Sequence, residues 1–108
     1  DNPHLNHPMN YHSFWHFSEK PGYSGVAVYS KKEPERVQKG LGVKEFDREG
    51  RWLELDFGKL TLITSYFPNS QREHTRLPFK LRFCAAAEAR LQALRKNGRH
   101  VLICGDLN

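Results

Sequence analysis

The middle of the chain shows a regular alternation of apolar and polar residues. In residues 51–57, leucine or phenylalanine takes every second position from Leu53 onwards, which predicts a strand with one buried face. A two-residue link that begins with Gly58 follows, as in a type II′ hairpin. Residues 60–66 then alternate again. These positions predict two antiparallel strands of a meander.

The last third of the chain predicts a helix followed by a buried strand. Between Pro78 and Asn97 apolar residues recur at helical spacing, namely Phe79, Phe83, Ala87, Leu91 and Leu94. Proline suits the first turn of a helix, and an Asn-Gly pair favours a left-handed cap at its end. Residues 101–104 form an unbroken apolar run, which is typical of a strand buried on both faces. This order of elements predicts a crossover in which strands 60–66 and 101–104 lie parallel.

The first half of the chain is less regular. Aromatic residues near 11–17 and the β-branched and aromatic content of 26–30 predict two strands. Residues 31–36 carry mixed charges and predict a solvated loop, and residues 47–50 predict a turn between two strands. Two early histidines stand four residues apart, the spacing of metal ligands on a helix, but the prolines and asparagines around them favour an irregular connection. Together the elements predict an α/β fold in which a helix covers a mixed sheet.

Composition narrows the class of protein and of partner. A content of 38% hydrophobic and 27% charged residues is typical of a globular protein rather than a disordered one. The 17 Lys and Arg residues exceed the 12 Asp and Glu residues, and the net charge of +5 modestly favours a polyanion such as nucleic acid as partner. No apolar run approaches the roughly 18 residues that a membrane span needs. Cys84 and Cys104 give no disulfide framework, so we read both as small buried residues in a reducing, intracellular compartment, cytoplasmic or associated with the nucleoid.

Polar residues follow the two strands that the crossover brings together. Asp106 and Asn108 come directly after the buried strand, and Gly105 before them allows another group to approach the backbone closely. Tyr66 ends the earlier strand, so parallel pairing places it at the same edge of the sheet as Asp106, where α/β folds position their sites. An acid and an amide at that edge can orient a water molecule or a hard cation. The alternative is a plain turn, which Gly, Asp and Asn also favour.

The segment after Tyr66 adds groups that suit phosphate oxygens. Asn69 contributes an amide, and Arg72 and Arg76 contribute guanidinium groups. One edge of the sheet therefore combines an acid for water activation with binding groups for a phosphodiester.

Five short motifs give the chain a specific resemblance. They are Gly22 to Ala27 (GYSGVA), Glu49 to Arg51 (EGR), Ser65 to Asn69 (SYFPN), Arg76 with Leu77 (RL) and Cys104 to Asn108 (CGDLN). In this order and at these separations the chain resembles the exonuclease III-like apurinic/apyrimidinic endonucleases of the endonuclease/exonuclease/phosphatase superfamily. The match runs from about Tyr11 to Asn108.

The resemblance implies a fold and an activity. The fold is a four-layer α/β sandwich of the DNase I type, with mixed and largely antiparallel sheets. The activity is that of a DNA phosphodiesterase of base-excision repair, which incises 5′ to abasic sites and trims 3′ ends as an exonuclease and 3′-phosphatase. Mg²⁺ is the implied cofactor, with Mn²⁺ as a second candidate. The implied partner is duplex DNA with abasic sites or 3′ blocks, bound by a monomer that does not associate with membranes.

The resemblance also implies a role for each matching residue. Asp106 activates or positions the attacking water and contacts a metal ion, and Asn108 places that water or a second cation. Tyr66 contacts the scissile phosphate, with support from Asn69. Tyr23 contacts the DNA backbone. Arg72 and Arg76 are further candidates for DNA binding, and Arg72 matches a position where only some members carry an arginine.

Other site residues of the family have no counterpart in residues 1–108. An asparagine and the principal metal-binding glutamate precede the matching region, and the closing Asp-His pair follows it. We therefore expect residues 1–108 to be an internal segment of a single catalytic domain, with unpaired strand edges and an incomplete site. Two alternatives stay open, namely a phosphoesterase of the same superfamily that acts on a phosphoinositide, sphingomyelin or RNA, and a non-catalytic relative that binds nucleic acid.

Overall fold

The computed structural model describes residues 11–69 and 76–107. The described residues form six strands and two helices. The strands are β1 (His12–Phe17), β2 (Gly25–Ser30), β3 (Arg36–Lys39), β4 (Trp52–Phe57), β5 (Leu60–Tyr66) and β6 (His100–Asp106). The helices are α1 (Lys44–Asp47), a single turn, and α2 (Leu77–Lys96).

The strands form two sheets. Strands β1 and β2 make an antiparallel pair, and the second sheet has the order β3-β4-β5-β6. The first three of these strands are antiparallel neighbours, and the β4–β5 pair is the one that the alternation predicted. Phe57 pairs with Leu60 across the predicted two-residue link, and Gly58 takes a φ of +56°, which favours glycine at the first central position of the hairpin.

Strand β6 joins the second sheet parallel to β5, which confirms the predicted crossover. Helix α2 connects the two strands and begins and ends one residue earlier than the sequence pattern predicted. Gly98 follows its end at a φ of +80°, and the N–H of Arg99 donates to the carbonyl oxygen of Leu94 at 3.1 Å. These are the features of the predicted left-handed cap.

Two apolar clusters lie on either side of the four-stranded sheet. The first lies under helix α2 and contains Phe46, Trp52, Ile63, Phe83, Ala87 and Leu94. The second lies under the β1–β2 sheet and contains Val26, Leu53 and Leu55, with Tyr66 packed at its margin. The described residues therefore form three layers, in the order two-stranded sheet, four-stranded sheet and helix, which confirms a mixed α/β fold.

The prediction of one buried face for β4 was wrong. Glu54 is as fully buried as Leu53 and Leu55, and Trp52 is 1% exposed. The polar face of β4 lies under α2, and arginines neutralise its acids: Arg90 of α2 and Arg36 of β3 both donate to Glu54 at 2.8 Å. Alternation of polar residues indicates exposure only when no partner for them comes from elsewhere in the chain.

The prediction that residues 101–104 are buried on both faces was also wrong. Leu102 is 55% exposed and Cys104 is exposed, whereas Val101 and Ile103 face the cluster under α2. Among the described residues β6 is an edge strand, and the β1–β2 sheet packs on β4 and β5 instead. Cys84 is half-buried, so neither cysteine is a fully buried core residue.

Two short elements carried no clear sequence pattern. Strand β3 begins at Arg36, which the sequence placed in a solvated loop. The turn predicted between two strands at residues 47–50 instead follows a helix, because α1 ends at Asp47 and residues 48–50 lead from it towards β4. The early histidines four residues apart, His12 and His16, lie in β1, so they share no helical face. In the described part, no helix is both long and apolar enough to cross a membrane.

Candidate active site

Tyr66 and Asp106 lie side by side at one edge of the four-stranded sheet. They are register partners in the parallel β5–β6 ladder, where each is the last residue of its strand. The N–H of Phe67 donates to the carbonyl oxygen of Asp106 at 2.8 Å and ties the two strand ends together. The predicted juxtaposition is thus present, and main-chain hydrogen bonds fix it. We call this edge, with Tyr66 and Asp106, the rim.

Gly105 allows β6 to pass close to β5 beside the rim. Its φ is +112°, and a Cβ atom at this position would collide with the carbonyl oxygen of Ser65. Only glycine fits such a conformation without strain. Any side chain at this position would displace Asp106, the next residue.

The rim borders a cleft of about 370 Å³ between the two sheets. Residues 25–27 of β2 and residues 64–66 of β5 line it together with Gly105 and Asp106. The Asp106 side chain is exposed and Tyr66 is half-buried. The exposed Asp106 therefore lies beside a tyrosine whose main chain is held by hydrogen bonds from and to Arg51.

Tyr23 and Arg76 meet next to the rim. Arg76 Nη1 donates to the Tyr23 hydroxyl oxygen at 2.9 Å, although the residues are 53 positions apart. Arg76 Nη2 donates to both carboxylate oxygens of Glu49, at 3.1 and 3.2 Å. The Arg76 side chain is 35% exposed. Two residues that the sequence predicted to bind DNA are therefore in direct contact, and an acid holds the arginine in place.

Arg51 joins this cluster to Tyr66, and the sequence did not single it out as a site residue. Its Nε donates to Glu49 Oε1 at 2.8 Å and its Nη1 donates to the carbonyl oxygen of Tyr66 at 2.9 Å. Its guanidinium carbon lies 5.2 Å from the centre of the Tyr66 ring and 5.9 Å from that of Tyr23. Glu49 and Arg51 stood in one of the resemblance motifs, which was the only sequence signal for them.

Three further residues were predicted for the site, and the structure describes one of them. Asn69 is exposed in the segment that follows β5. Arg72 and Asn108 lie outside the described residues, so their predicted roles stay predictions. Within residues 11–69 and 76–107, no group of three or more His, Cys, Asp or Glu side chains has the arrangement of a metal site.

Two further clefts lie near the loop that joins β1 to β2. One of about 420 Å³ adjoins Tyr23. Its lining contains three cations and two acids, namely Lys20, Arg48, Arg76, Glu19 and Glu49. The other, of about 630 Å³, runs from Phe17 to Ala27 and has no charged residue in its lining. The first of these clefts is continuous with the tyrosine–arginine cluster and has an excess of one cation in its lining, whereas the second is uncharged.

Comparisons with known proteins agree with this geometry. The model of the Endonuclease/Exonuclease/phosphatase family matches residues 1–108. An exodeoxyribonuclease of Bacillus subtilis (strain 168) is 41% identical over 101 residues, which are 94% of this chain and 40% of that protein. The DNA repair nuclease APEX1 of Danio rerio is 40% identical over 98 residues, which are 90% of this chain and 31% of that protein.

A solved structure gives the same result for the fold. The 3′-5′ exonuclease (NExo) from Neisseria meningitidis superposes with a TM-score of 0.73 at 25% identity, over 93% of this chain and 39% of that one. The chain thus spans less than half the length of each of these three proteins. The resemblance predicted from the five sequence motifs is confirmed.

Proposed function

We propose, because this chain belongs to the Endonuclease/Exonuclease/phosphatase family, that the protein is a divalent-metal-dependent phosphodiesterase that acts on DNA. Its finer activity, in this proposal, is incision 5′ to abasic sites together with trimming of 3′ ends. The pairing of Tyr66 with Asp106 at the rim is the observation that carries the proposal. In the proposal, the phenol of Tyr66 binds the phosphate and the neighbouring acid acts on the water.

In this proposal Asp106, Tyr66 and the cluster around Tyr23 have separate roles. The exposed carboxylate of Asp106 accepts a proton from the attacking water, or orients that water for in-line attack. The Tyr66 hydroxyl donates to a phosphate oxygen, and the main-chain bonds of β5 keep it in place. Glu49 neutralises one of the two guanidinium groups beside Tyr23, so the cluster keeps one net positive charge towards the DNA backbone.

The chemistry of the donor atoms favours a hard cation over zinc. Asp106 supplies a carboxylate, and Asn108 is predicted to supply an amide oxygen, which are ligands that Mg²⁺ and Mn²⁺ accept. No sulfur or imidazole ligand lies among the candidates. A divalent ion held there would neutralise phosphate charge and stabilise the leaving oxygen.

Cleavage of a defined duplex tests the proposal. The substrate is a labelled duplex with one abasic-site analogue, and the enzyme is the full-length protein with Mg²⁺ or with EDTA. We expect metal-dependent incision that Asp106→Asn reduces by about 10³-fold or more, because a general base contributes about 10²–10⁴-fold and the acid also contacts the metal. Tyr66→Phe should reduce incision less, since it removes one hydrogen bond to the phosphate.

Glu88→Gln provides the matched control for Asp106→Asn. Glu88 is an exposed acid on α2, and its side chain bonds Gln92 within the same helix. The control should cleave at the wild-type rate. Undiminished turnover by Asp106→Asn would contradict the role of Asp106, and wild-type protein that binds the duplex without cleaving it would favour the non-catalytic alternative.

The substrate class has a separate test. The curated relatives are named as DNA nucleases, and the cations around Tyr23 suit a polyanionic backbone. A panel of abasic duplex, 3′-phosphate duplex, RNA, phosphoinositide and sphingomyelin should show the highest kcat/KM with the abasic duplex. Preference for RNA or a lipid would retain the phosphodiesterase and reject DNA as its substrate.

A further inference from the structure

Arg51 is a buried cation whose contacts point towards the rim rather than to solvent. It precedes β4, and the residue is only 6% exposed. One side of its guanidinium bonds the Glu49 carboxylate, and another N–H bonds the main-chain oxygen of Tyr66. Its own main-chain oxygen accepts from the N–H of Tyr66 at 3.0 Å and from the Ser65 hydroxyl at 2.9 Å. Arg51 therefore fixes the end of β5 through both its side chain and its main chain.

Glu49 extends these contacts to the Tyr23 loop. Its carboxylate lies between two guanidinium groups, since Arg51 donates at 2.8 Å and Arg76 at 3.1 Å. Arg76 in turn bonds the Tyr23 hydroxyl. In addition, the Ser24 hydroxyl donates to the main-chain oxygen of Glu49. The loop that carries Tyr23 is thus attached to Glu49 through both side chain and main chain.

The rings of Tyr66 and Tyr23 both lie near the guanidinium group of Arg51. The distances from the Arg51 guanidinium carbon to the ring centres, 5.2 Å for Tyr66 and 5.9 Å for Tyr23, are within the range of cation–π contacts. A planar guanidinium can meet a carboxylate, a carbonyl oxygen and two ring faces together, whereas a lysine ammonium is a single point charge. The arrangement requires arginine.

We propose that Arg51 and Glu49 are a positioning pair that couples Tyr66 to Tyr23. Arg51 sets the place of Tyr66 at the rim, and Glu49 transmits the position of Arg51 to Tyr23 through Arg76. Neither residue of the pair contacts the reacting atoms. The inference deepens the proposed function, on which its kinetic part rests, and assigns to Arg76 the task of orienting the Tyr23 phenol.

The first experiment needs no substrate. Tyrosine ring resonances of the full-length protein, assigned by selective labelling, are compared between wild type and Arg51→Lys. Because both rings lie against the guanidinium, we expect the Tyr66 and Tyr23 signals to shift together, while Tyr11 and Tyr29 stay in place as internal references. Glu49→Gln should shift Tyr23 more than Tyr66, since Arg51 keeps its bond to the Tyr66 main chain.

The second experiment separates kcat from KM on the abasic duplex. A displacement of about 1 Å at a reacting group costs up to about 10²-fold in rate, so Arg51→Lys should lower kcat by about 10- to 100-fold. Glu49→Gln should instead raise KM by several-fold with kcat near that of wild type. Arg90→Lys is the matched control, because Arg90 is a partly buried arginine that bonds an acid, Glu54, under α2.

The Arg90→Lys control shows what a substitution does when it only destabilises the fold. Arg90→Lys should lower the melting temperature and leave kcat, KM and the tyrosine signals unchanged. If Arg51→Lys behaves like Arg90→Lys, or if it shifts the signal of only one of Tyr23 and Tyr66, the positioning pair is refuted. If Arg51→Lys does not fold, Glu49→Gln decides by its effect on Tyr23. Wild-type protein inactive on DNA would reject the proposed function, and the resonance test would still decide the coupling.

Discussion

Glu54 is the buried acid that stabilises the side of β4 under helix α2. Its side chain is 0% exposed, and its two oxygens accept four hydrogen bonds. Arg36 Nη2 and Arg90 Nη2 donate to Oε1 at 2.8 Å, while Arg90 Nε and Trp52 Nε1 donate to Oε2 at 2.8 and 2.9 Å. The substitution Glu54→Gln keeps the volume and removes the charge, so it tests this network with little change in packing.

The expected loss of unfolding free energy follows from the geometry of the four hydrogen bonds. Glutamine keeps one acceptor oxygen, and whichever way its amide is turned, the NH₂ group faces two donors. Two bonds are therefore lost, and a bond to a charged group contributes about 1.5–3 kcal/mol. The arginine side chains are 36% and 29% exposed and regain contact with water. We therefore expect the free energy of unfolding to fall by about 3 kcal/mol, the lower end of the range.

The pH dependence provides an independent check. Burial opposes ionisation of Glu54, but the hydrogen bonds from Arg90, Arg36 and Trp52 outweigh it and lower the pKa of Glu54 below its ordinary value of 4.5. Between these two pKa values the unfolded chain binds more protons than the folded one. The stabilisation is therefore fully present above pH 4.5 and is lost as the pH falls towards the folded pKa.

Urea-induced unfolding of the full-length protein, followed by circular dichroism from neutral pH into the acid range, measures both effects. The difference between wild type and Glu54→Gln should be largest near neutral pH and shrink as the pH falls below the ordinary glutamate pKa. Glu88→Gln, an exposed acid on α2, should change neither quantity. A loss of less than about 1 kcal/mol at neutral pH, or a difference that stays constant into acid, would refute the reasoning.

Three further substitutions give distinct outcomes. Phe83→Ala removes a side chain that is 0% exposed and meets three aromatic rings edge-on. Thermal unfolding should therefore show that the free energy of unfolding falls by about 3–5 kcal/mol. A fall of less than about 1 kcal/mol would contradict the packing. Gly105→Ala puts a Cβ atom at a residue with a positive φ and against the Ser65 carbonyl oxygen. We expect loss of activity in a cleavage assay and a fall of about 3 kcal/mol or more in the free energy of unfolding. A stable, active variant would contradict this geometry. Asp47→Ala removes the acceptor for two loop N–H groups at 2.8 and 2.9 Å, and urea unfolding should show a loss of about 1.5–3 kcal/mol with activity retained.

The hairpin and the crossover were predictable because local chemistry specifies them. Gly58 sets the turn between β4 and β5, and Gly98 ends α2 where an αL residue was expected. The predicted stripe on α2 agrees with the cluster under that helix, which contains Phe83, Ala87 and Leu94. In these elements short-range preference and long-range packing favour the same structure.

The burial of two strands was not predictable, because it depends on partners far away in the chain. Glu54 is buried since Arg36 and Arg90 arrive from 18 and 36 positions away. Leu102 is exposed since no described element covers that side of β6. A sequence pattern reports which residues tolerate burial, whereas coverage is decided by topology.

One part of the candidate site was predictable from the sequence and another part was not. Tyr66 and Asp106 were paired from the sequence because a crossover puts the ends of both strands at one edge. The cluster around Glu49 was not, because charged residues that flank a glycine turn are common on solvated loops. The contacts that Arg51, Arg76 and Ser24 make with Glu49 distinguish this turn from an ordinary one.

The rim and the Tyr23–Arg76 contact beside it both join residues that are far apart in the chain, and this sets when they form during folding. Tyr66 meets Asp106 only after the whole of α2 has folded back, and Tyr23 meets Arg76 across 53 positions. The β4–β5 hairpin closes through two residues and so loses far less chain entropy. We therefore expect an intermediate with the hairpin formed and no rim. In refolding experiments, cleavage activity should then return later than secondary structure.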